Sequence, residues 1–181
     1  MYSIAVVVGS LRKDSMNKKL ALALEKLGKD LFTFTYVDIA SLPLFSQDLE
    51  EALPEEVARM KKTVAACDAV LLVTPEYNRS IPGVLKNALD WGSRPAGQGV
   101  WANKPAAMAG ASGGGVGTAV AQSHLRSVAG FLGMRLTVQP EVYIQDKPGL
   151  IEEDGTVTNE GTAKFLTSFL TAFSAWIDKA K

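Results

Sequence analysis

Runs of apolar residues alternate along the chain with segments in which apolar residues recur every three or four positions. Continuous apolar or β-branched runs are typical of strands that are covered on both faces of a parallel sheet. Apolar residues at helical spacing predict amphipathic helices that bury one face. On this basis, residues 3–9, 32–38, 69–74, 105–110 and 135–139 are predicted strands, and residues 17–29, 54–66, 82–91, 117–132 and 160–179 are predicted helices.

Strand–helix units that repeat along the chain predict an α/β fold: an open, parallel, five-stranded sheet with helices on both faces and right-handed crossovers. No linker, low-complexity tract or internal repeat interrupts the pattern, so residues 1–181 are expected to form a single domain. In open parallel sheets, ligands bind beyond the carboxyl ends of the strands, where the strand order reverses. The loops after the first, third and fourth predicted strands are therefore the expected site of the chemistry.

Composition and charge narrow the class of protein. The chain is 47% apolar and 21% charged, as in ordinary globular proteins, and its 19 basic residues balance its 19 acidic residues. A chain without net charge lacks the excess of positive charge that binds nucleic acid or an anionic membrane, so neither is an expected partner. Residues 1–10 lack the basic start of a signal peptide, and no apolar run approaches the roughly 20 residues of a membrane span, so a cytoplasmic location is expected.

The chain has too few cysteines for a disulfide and too few cysteines and histidines for a metal site built on them. Cys67 is the only cysteine and His124 is the only histidine. One thiol excludes an intrachain disulfide, and a metal site built on these residue types needs more of them. We therefore expect no metal site, and we interpret Cys67, which precedes an apolar run, as a buried and unreactive thiol.

The loop after the first strand, GSLRKDSMN at residues 9–17, carries groups that bind an anion. Peptide N–H groups at a helix N-terminus are unpaired and carry a partial positive charge that attracts phosphate. Ser10 and Ser15 add hydroxyls, Asn17 adds an amide and Arg12 adds a cation, and charge-assisted contacts are about twice as strong as neutral hydrogen bonds. The alternative is a plain capped turn with Ser15 or Asn17 as the helix N-cap.

Two other phosphate-binding loops do not fit these residues. The P-loop requires G-x-x-x-x-G-K-[ST], and no Gly-Lys pair follows Gly9 at that spacing. A dinucleotide fold requires G-x-G-x-x-G, and only Gly9 is present. Asp38, at the end of the second predicted strand, resembles the ribose-binding acid of such folds, but without the glycines we interpret it as a loop-capping residue. A dinucleotide is therefore not expected as the resident cofactor.

The loop after the third strand begins TPEYNRSIPG at residue 74 and is stiffened by Pro75 and Pro82. Tyr77 offers an aromatic face for a flat heterocycle, and Asn78 both donates and accepts hydrogen bonds. A carboxylate beside a reduced, anionic ring would oppose its reduction. Glu76 is therefore expected to contact such a ring through its backbone while its carboxylate turns away. The alternative is a rigid turn with an exposed tyrosine.

The loop after the fourth strand, GASGGGVGT at residues 110–118, is rich in glycine. Glycine lets the backbone approach a ligand closely and exposes its N–H groups. The spacing does not fit G-x-G-x-x-G, and flexibility alone would also account for the glycines. The position of this loop, at the same sheet edge as the other two, favours a role in binding.

Together these segments resemble the NAD(P)H-dependent FMN reductase family, including its chromate- and quinone-reducing members. GSLRKDSMN is similar to the family's G-S-x-R-x-x-S-x-N phosphate loop. Residues 75–91, PEYNRSIPGVLKNALDW, are similar to its P-E-Y-N-x-S-x-P-G-x-L-K-N-x-x-D-W signature. SGGGVGT matches the third loop less tightly, VDIASLPLFSQDLE resembles the segment after the second strand, and the resemblance weakens after Pro140.

The resemblance implies a flavodoxin-like fold and a resident FMN. Ser10, Arg12, Ser15 and Asn17 would hold its phosphate, residues 75–78 would line the isoalloxazine, and Ser112 with its glycines would contact the pyrimidine side. The family also implies a homodimer or homotetramer, with the helix at residues 82–91 and the region of His124 and Arg126 as candidate interface surfaces. For His124 and Arg126, a solvated or structural role is at least as strong an alternative. The full set of expected cofactor-binding residues is Ser10, Leu11, Arg12, Lys13, Asp14, Ser15, Met16, Asn17, Pro75, Glu76, Tyr77, Asn78, Ser112, Gly113 and Gly114.

The hypothesis that follows is an oxidoreductase in which NADPH or NADH gives hydride to flavin N5 and a quinone, a second flavin or chromate then takes the electrons from the same face. No residue is predicted to act as a general acid or base, because the cofactor carries the chemistry. Two alternatives are open: a flavodoxin-type electron carrier without its own nicotinamide turnover, which the balanced charge disfavours, and a flavin-binding protein without turnover.

Overall fold

The computed structural model describes residues 1–180, and within them six parallel strands form one sheet in the order β2-β1-β3-β4-β5, with β6 also beside β4. The strands are β1 (Tyr2–Val8), β2 (Phe32–Tyr36), β3 (Ala69–Val73), β4 (Pro105–Ser112), β5 (Arg135–Leu136) and β6 (Val142–Gln145). The helices are α1 (Met16–Gly28), α2 (Glu55–Ala66), α3 (Gly83–Ser93), α4 (Ala119–Phe131) and α5 (Glu160–Ala180), with a short 3₁₀ helix at Gln47–Leu49. The predicted parallel α/β fold is confirmed.

Helices cover both faces of the sheet, as the continuous apolar strands predict. All five residues of β3 are buried, because apolar side chains pack against both of its faces. On one face, the core consists of α1 and α5 against the sheet, with Leu24, Phe169 and Phe173 fully buried. On the other face, α2, α3 and α4 bury Val64, Leu89 and other residues.

The fifth position in the sheet is occupied by two short strands instead of one. The prediction of a strand over residues 135–139 is wrong in its extent, since β5 ends at Leu136 and pairs only with the first two residues of β4. The chain then leaves the sheet and returns as β6 beside the last four residues of β4. Pro140 lies in the gap, and a proline has no N–H to donate to a neighbouring strand.

The strand order places the loops for binding. The chain crosses from β1 to β2 on one side and then to β3 on the other side, so the order reverses between β1 and β3. This order is that of flavodoxin-like folds, which bind ligands at the reversal. No helix within residues 1–180 has the length and apolar character that crossing a membrane requires.

Candidate functional site

The loops after β1, β3 and β4 meet at the carboxyl edge of the sheet and line one cleft. This convergence follows from the strand order, because β1, β3 and β4 are neighbours. The residues that line the cleft are Ser10, Arg12, Ser15, Met16, Asn17, Pro75, Glu76, Tyr77, Ala111, Ser112 and Gly113.

The β1 loop presents a run of unpaired backbone N–H groups. From Ser10 to Asn17, no backbone N–H donates a hydrogen bond to another group of residues 1–180. Ser15 is the N-cap of α1, since its Oγ accepts from the Lys18 N–H at 3.2 Å. The Arg12 side chain is exposed and has no carboxylate within ion-pair distance in the described chain. Free N–H groups and a free cation at a helix N-terminus form a site for an anion such as phosphate.

Asn17 holds the β1 loop against the end of β4. Its Nδ2 donates to the Ala111 carbonyl at 2.8 Å, and its Oδ1 accepts from the Ala111 N–H at 2.9 Å. β3 has ended at this level, and its last bond to β4 joins the Thr74 N–H to the Ala109 carbonyl. The Asn17 amide thus replaces a strand partner for Ala111. That Asn17 helps to hold a phosphate stays a prediction; its backbone N–H has no acceptor within residues 1–180.

Residues Tyr77 to Ser80 form a two-residue hairpin turn, which the sequence reasoning missed. The Tyr77 N–H donates to the Ser80 carbonyl at 2.9 Å, and the Ser80 N–H donates to the Tyr77 carbonyl at 3.0 Å. Asn78 and Arg79 have φ values of 50° and 66°, as a type I′ turn requires. Asn78 is the sequence signal for this turn. The hairpin leaves Tyr77 45% exposed at the cleft.

Glu76 ties this loop to the start of α4. Its Oε2 accepts from the N–H groups of Val120 and Ala121 at 3.1 and 3.0 Å, and its Oε1 lies 2.9 Å from Arg79. Burial raises the pKa of Glu76, but the bonds from Ala121, Arg79 and Val120 outweigh this effect and leave the pKa below its ordinary value. The carboxylate is therefore bound to the N-terminus of α4. That it turns away from a cofactor ring stays a prediction. Contact between its backbone and a cofactor stays a prediction.

The glycine-rich loop is closed by Ser112, whose Oγ donates to the Gly117 carbonyl at 2.6 Å. The N–H groups of Gly113 and Gly114 have no acceptor within residues 1–180. Gly110 is required by packing, since an added Cβ would lie 2.0 Å from Thr118 Oγ1 and 2.4 Å from the Thr74 carbonyl oxygen. Packing therefore accounts for Gly110, whereas an added Cβ at Gly113 would meet nothing within 4 Å.

Five of the predicted cofactor-binding residues do not line the cleft. Leu11 lines a neighbouring apolar cavity instead. Ala111 lines the cleft but was missed, because its side chain carries no polar group that would have marked it. The other predicted residues outside the lining are Lys13, Asp14, Asn78 and Gly114.

The remaining candidates have structural contacts within the chain. His124 Nδ1 lies 3.0 Å from Ser80 Oγ, and Arg126 pairs with Glu141 at 2.8 Å. Asp38 accepts from the Ala40 N–H at 2.9 Å and from Ser41 Oγ at 2.8 Å, so it caps its loop as predicted. Cys67 is buried, and this burial raises the pKa of its thiol. Residues 1–180 contain no cluster of three or more His, Cys, Asp or Glu side chains suited to a metal ion.

Comparison with known proteins assigns a family to this chain. A family model described as NADPH-dependent FMN reductase matches residues 2–149. A 2-hydroxy-1,4-benzoquinone reductase from Burkholderia sp. is 53% identical over 174 residues, which are 96% of this chain and 95% of the relative. A quinone reductase from Pseudomonas putida is 45% identical over 178 residues, which are 98% of this chain and 95% of the relative.

A solved structure also aligns along almost the whole chain. The flavoenzyme NAD(P)H:(acceptor) oxidoreductase FerB from Paracoccus denitrificans superposes with a TM-score of 0.96 and 47% sequence identity, covering 99% of this chain and 98% of that one. The chain belongs to the NADPH-dependent FMN reductase family. It is an oxidoreductase of the flavodoxin-like fold, which confirms the predicted enzyme class, the flavin and the nicotinamide.

Proposed function

We propose that this chain uses FMN, bound in the cleft between the β1, β3 and β4 loops, to transfer reducing equivalents from NADPH or NADH to a quinone. The observation that carries the proposal is the run of unpaired N–H groups from Ser10 to Asn17 beside the unpaired Arg12 guanidinium. Quinones are the proposed acceptors because two relatives at 53% and 45% identity are named as reductases of quinones. Other flavins and chromate are further predicted acceptors.

The β1 loop is the proposed phosphate site. A terminal monophosphate presents several oxygen acceptors, and the loop offers N–H donors together with the hydroxyls of Ser10 and Ser15. Both serines are only 3% exposed, so they are fixed in place before a ligand arrives. Arg12 supplies the compensating positive charge. These donors fit FMN because its phosphate is the only strongly charged group that the cofactor carries.

The β3 and β4 loops are the proposed site for the flavin ring. Pro75 and Tyr77 offer a rigid apolar edge and an aromatic face, and the hairpin turn holds them in place. The unpaired N–H groups of Gly113 and Gly114 are the proposed donors to the pyrimidine side, where they favour negative charge on the ring. When bound, FMN supplies the hydride acceptor and donor, and the protein supplies orientation and electrostatics.

Compensation of the negative charge of Glu76 is part of this arrangement. A free carboxylate in the cleft would repel negative charge on the ring through a medium of low dielectric constant. The contacts of Glu76 with α4 and Arg79 place opposite charge directly against it. Glu76 thus connects the loop after β3 to the start of α4. Because its charge is compensated, it would not oppose reduction of the ring.

Anaerobic titration of the purified protein with NADPH and NADH tests the proposed function. We expect a yellow protein whose flavin absorbance near the visible maximum is lost on addition of either nicotinamide and restored by a quinone. Steady-state turnover with a panel of quinones, free flavins and chromate then ranks the acceptors. A protein that binds FMN but is not reduced by either nicotinamide contradicts the enzyme and favours the electron carrier.

The predicted homodimer or homotetramer is part of the proposal. Phe131, at the end of α4, is 91% exposed, which is unusual for a large apolar side chain at the surface of a monomer. The chain also has no net charge to keep copies apart. The mass of the protein in solution, measured by light scattering, checks this expectation. The cytoplasmic location likewise stays a prediction.

A further inference from the structure

The end of the glycine-rich loop packs against the sheet. Gly117 has a φ of 61°, a conformation that favours glycine, and an added Cβ would lie 3.0 Å from the Tyr143 carbonyl carbon. The next residue, Thr118, is fully buried, and an added Cβ at Gly110 would lie 2.0 Å from its Oγ1. Gly110 belongs to β4 and Tyr143 to β6, so the loop ends against two paired strands.

Gln122, one turn further along the chain in α4, holds Thr118 in this position. Its Nε2 donates to Thr118 Oγ1 at 2.9 Å and to the Val142 carbonyl at 2.8 Å. Thr118 is the N-cap residue of α4, but its side chain makes no capping bond and accepts from Gln122 instead. Gln122 thus joins the first residue of β6 to the residue that ends the glycine-rich loop.

The other polar atom of the Gln122 amide is unsatisfied. The side chain is 0% exposed, and its Oε1 has no hydrogen-bond partner within residues 1–180. A buried polar atom without a partner destabilises the folded state, whereas an apolar side chain of the same shape carries no such cost. Local features that lower stability are expected at functional sites. The amide at this position therefore points to a role in addition to packing.

The loop that this contact fixes presents N–H groups at the cleft. Gly113 lines the cleft, and the N–H groups of Gly113 and Gly114 have no acceptor within the described residues. Donors that are already in place stabilise a developing negative charge without the cost of reorganisation. We propose that Gln122, acting through Thr118, is a positioning residue that holds these N–H groups where they favour reduced FMN over oxidised FMN.

This inference deepens the proposed function and rests on it, because it needs FMN in the cleft. Neither Gln122 nor Thr118 lines the cleft, so both act through the loop and not by contact with the ring. Their effect falls on the difference between the affinities for the two oxidation states of the flavin. A role in stability alone would leave that difference unchanged.

Four substitutions separate this contact from general effects on stability. Gln122→Met keeps an unbranched side chain and removes the amide. Thr118→Ala removes the hydroxyl and the methyl group, and its matched control, Thr118→Ser, removes the methyl group alone. Val64→Ala is a second control, because Val64 is a fully buried residue of α2 that does not line the cleft. Thermal unfolding of each full-length variant gives its loss of stability.

The measurement is the midpoint potential of bound FMN, obtained by equilibrium reduction against a dye of known potential, together with the dissociation constant for oxidised FMN. We expect Gln122→Met and Thr118→Ala to weaken the binding of reduced FMN about tenfold more than that of oxidised FMN, which lowers the potential of a two-electron couple by about 30 mV. Thr118→Ser and Val64→Ala are expected to keep the potential of the parent protein, even where they lower the unfolding temperature.

The inference is overturned if either Gln122→Met or Thr118→Ala keeps the parent potential, since both remove the same contact. If Gln122→Met does not fold, Thr118→Ala and Thr118→Ser decide the question by themselves. An equal fall in Val64→Ala also overturns the inference, because the shift would then follow from lower stability. A parent protein that binds no FMN is a different result, since it contradicts the proposed function and this inference with it.

Discussion

Asn17 shows how one buried side chain fixes the shape of the cleft. Its amide makes two hydrogen bonds to Ala111, which is 1% exposed, at a level of the sheet where β3 has already ended. The amide of asparagine has the same donor and acceptor as a peptide group, so it completes the hydrogen bonding of β4. The contact fixes the first turn of α1, and with it the unpaired N–H groups of the β1 loop.

Asn17→Ala is expected to lower the free energy of unfolding by about 2–4 kcal/mol. The substitution leaves the N–H and carbonyl of Ala111 buried without partners, and each unsatisfied group costs about 1–3 kcal/mol. FMN affinity is expected to fall as well, because the β1 loop loses its anchor. Urea denaturation at neutral pH measures the loss. A change below about 0.5 kcal/mol would show that Ala111 finds other partners.

The role of Asn17 was not predictable from the sequence, although the residue was correctly singled out. Polar residues at the start of a helix predict caps and anion contacts from local spacing. The partner of Asn17 is 94 positions away in the chain. This partner can be identified only when it is known that β4 continues three residues beyond the partner of the last residue of β3. Strand ends are what sequence patterns locate least well.

At the scale of elements, the start of α4 and the hairpin turn at Tyr77–Ser80 behave as one unit. Glu76 binds the N-terminus of α4, and Ser80 binds His124 on the same helix. α4 has no side-chain cap from its own N-cap residue, Thr118, so Glu76 supplies the missing acceptor from another part of the chain. The loop after β3 is thereby attached to α4.

Glu76→Ala is expected to lower stability by about 1–3 kcal/mol at pH 7, the usual contribution of hydrogen bonds to a charged group. The pKa of Glu76 is depressed in the folded state, so its contribution is present above the ordinary glutamate pKa. The contribution is lost as the pH falls through the folded-state pKa. The stability difference between variant and parent should therefore shrink at low pH, as thermal unfolding from pH 7 to pH 3 would show.

Glu55→Ala is the matched control for this series. Glu55 pairs with Arg59 at 2.8 Å on the surface of α2, and its side chain is 81% exposed. Exposed pairs of this kind contribute about 0.5 kcal/mol or less. Equal losses in Glu55→Ala and Glu76→Ala would contradict the role assigned to Glu76.

The helices and the first four strands were predictable because each has a strong local pattern. β3 and β4 are continuous apolar runs, and α5 repeats apolar residues at helical spacing over its length. β5 and β6 have two and four residues, which is too short for a periodic signal. Their place is set by pairing with β4 instead of by their own sequence. The hairpin turn was missed because its signal is a single asparagine ahead of an arginine.

At the scale of the whole molecule, the order β2-β1-β3-β4-β5 brings three separate loops to one cleft. This convergence was predictable, because ligand sites in open parallel sheets follow from strand order. The contacts that hold the loops of the cleft in place were not predictable from the sequence. They join residues such as Glu76 and Ala121, which are distant in the chain. Because the chain has no net charge, the proposed phosphate site depends on local groups, above all Arg12.

The central claim is that residues 10–17 hold the phosphate of FMN, and the double variant Arg12→Ala with Ser15→Ala tests it most directly. It removes the cation and a hydroxyl, and the matched control is Arg59→Ala with Ser123→Ala, at exposed positions outside the cleft. Titration of the flavin-free proteins with FMN, followed by fluorescence, gives the dissociation constants. We predict an affinity loss of about 100-fold or more for the double variant and none for the control. Equal FMN affinity in all three proteins would contradict the assignment of the phosphate site.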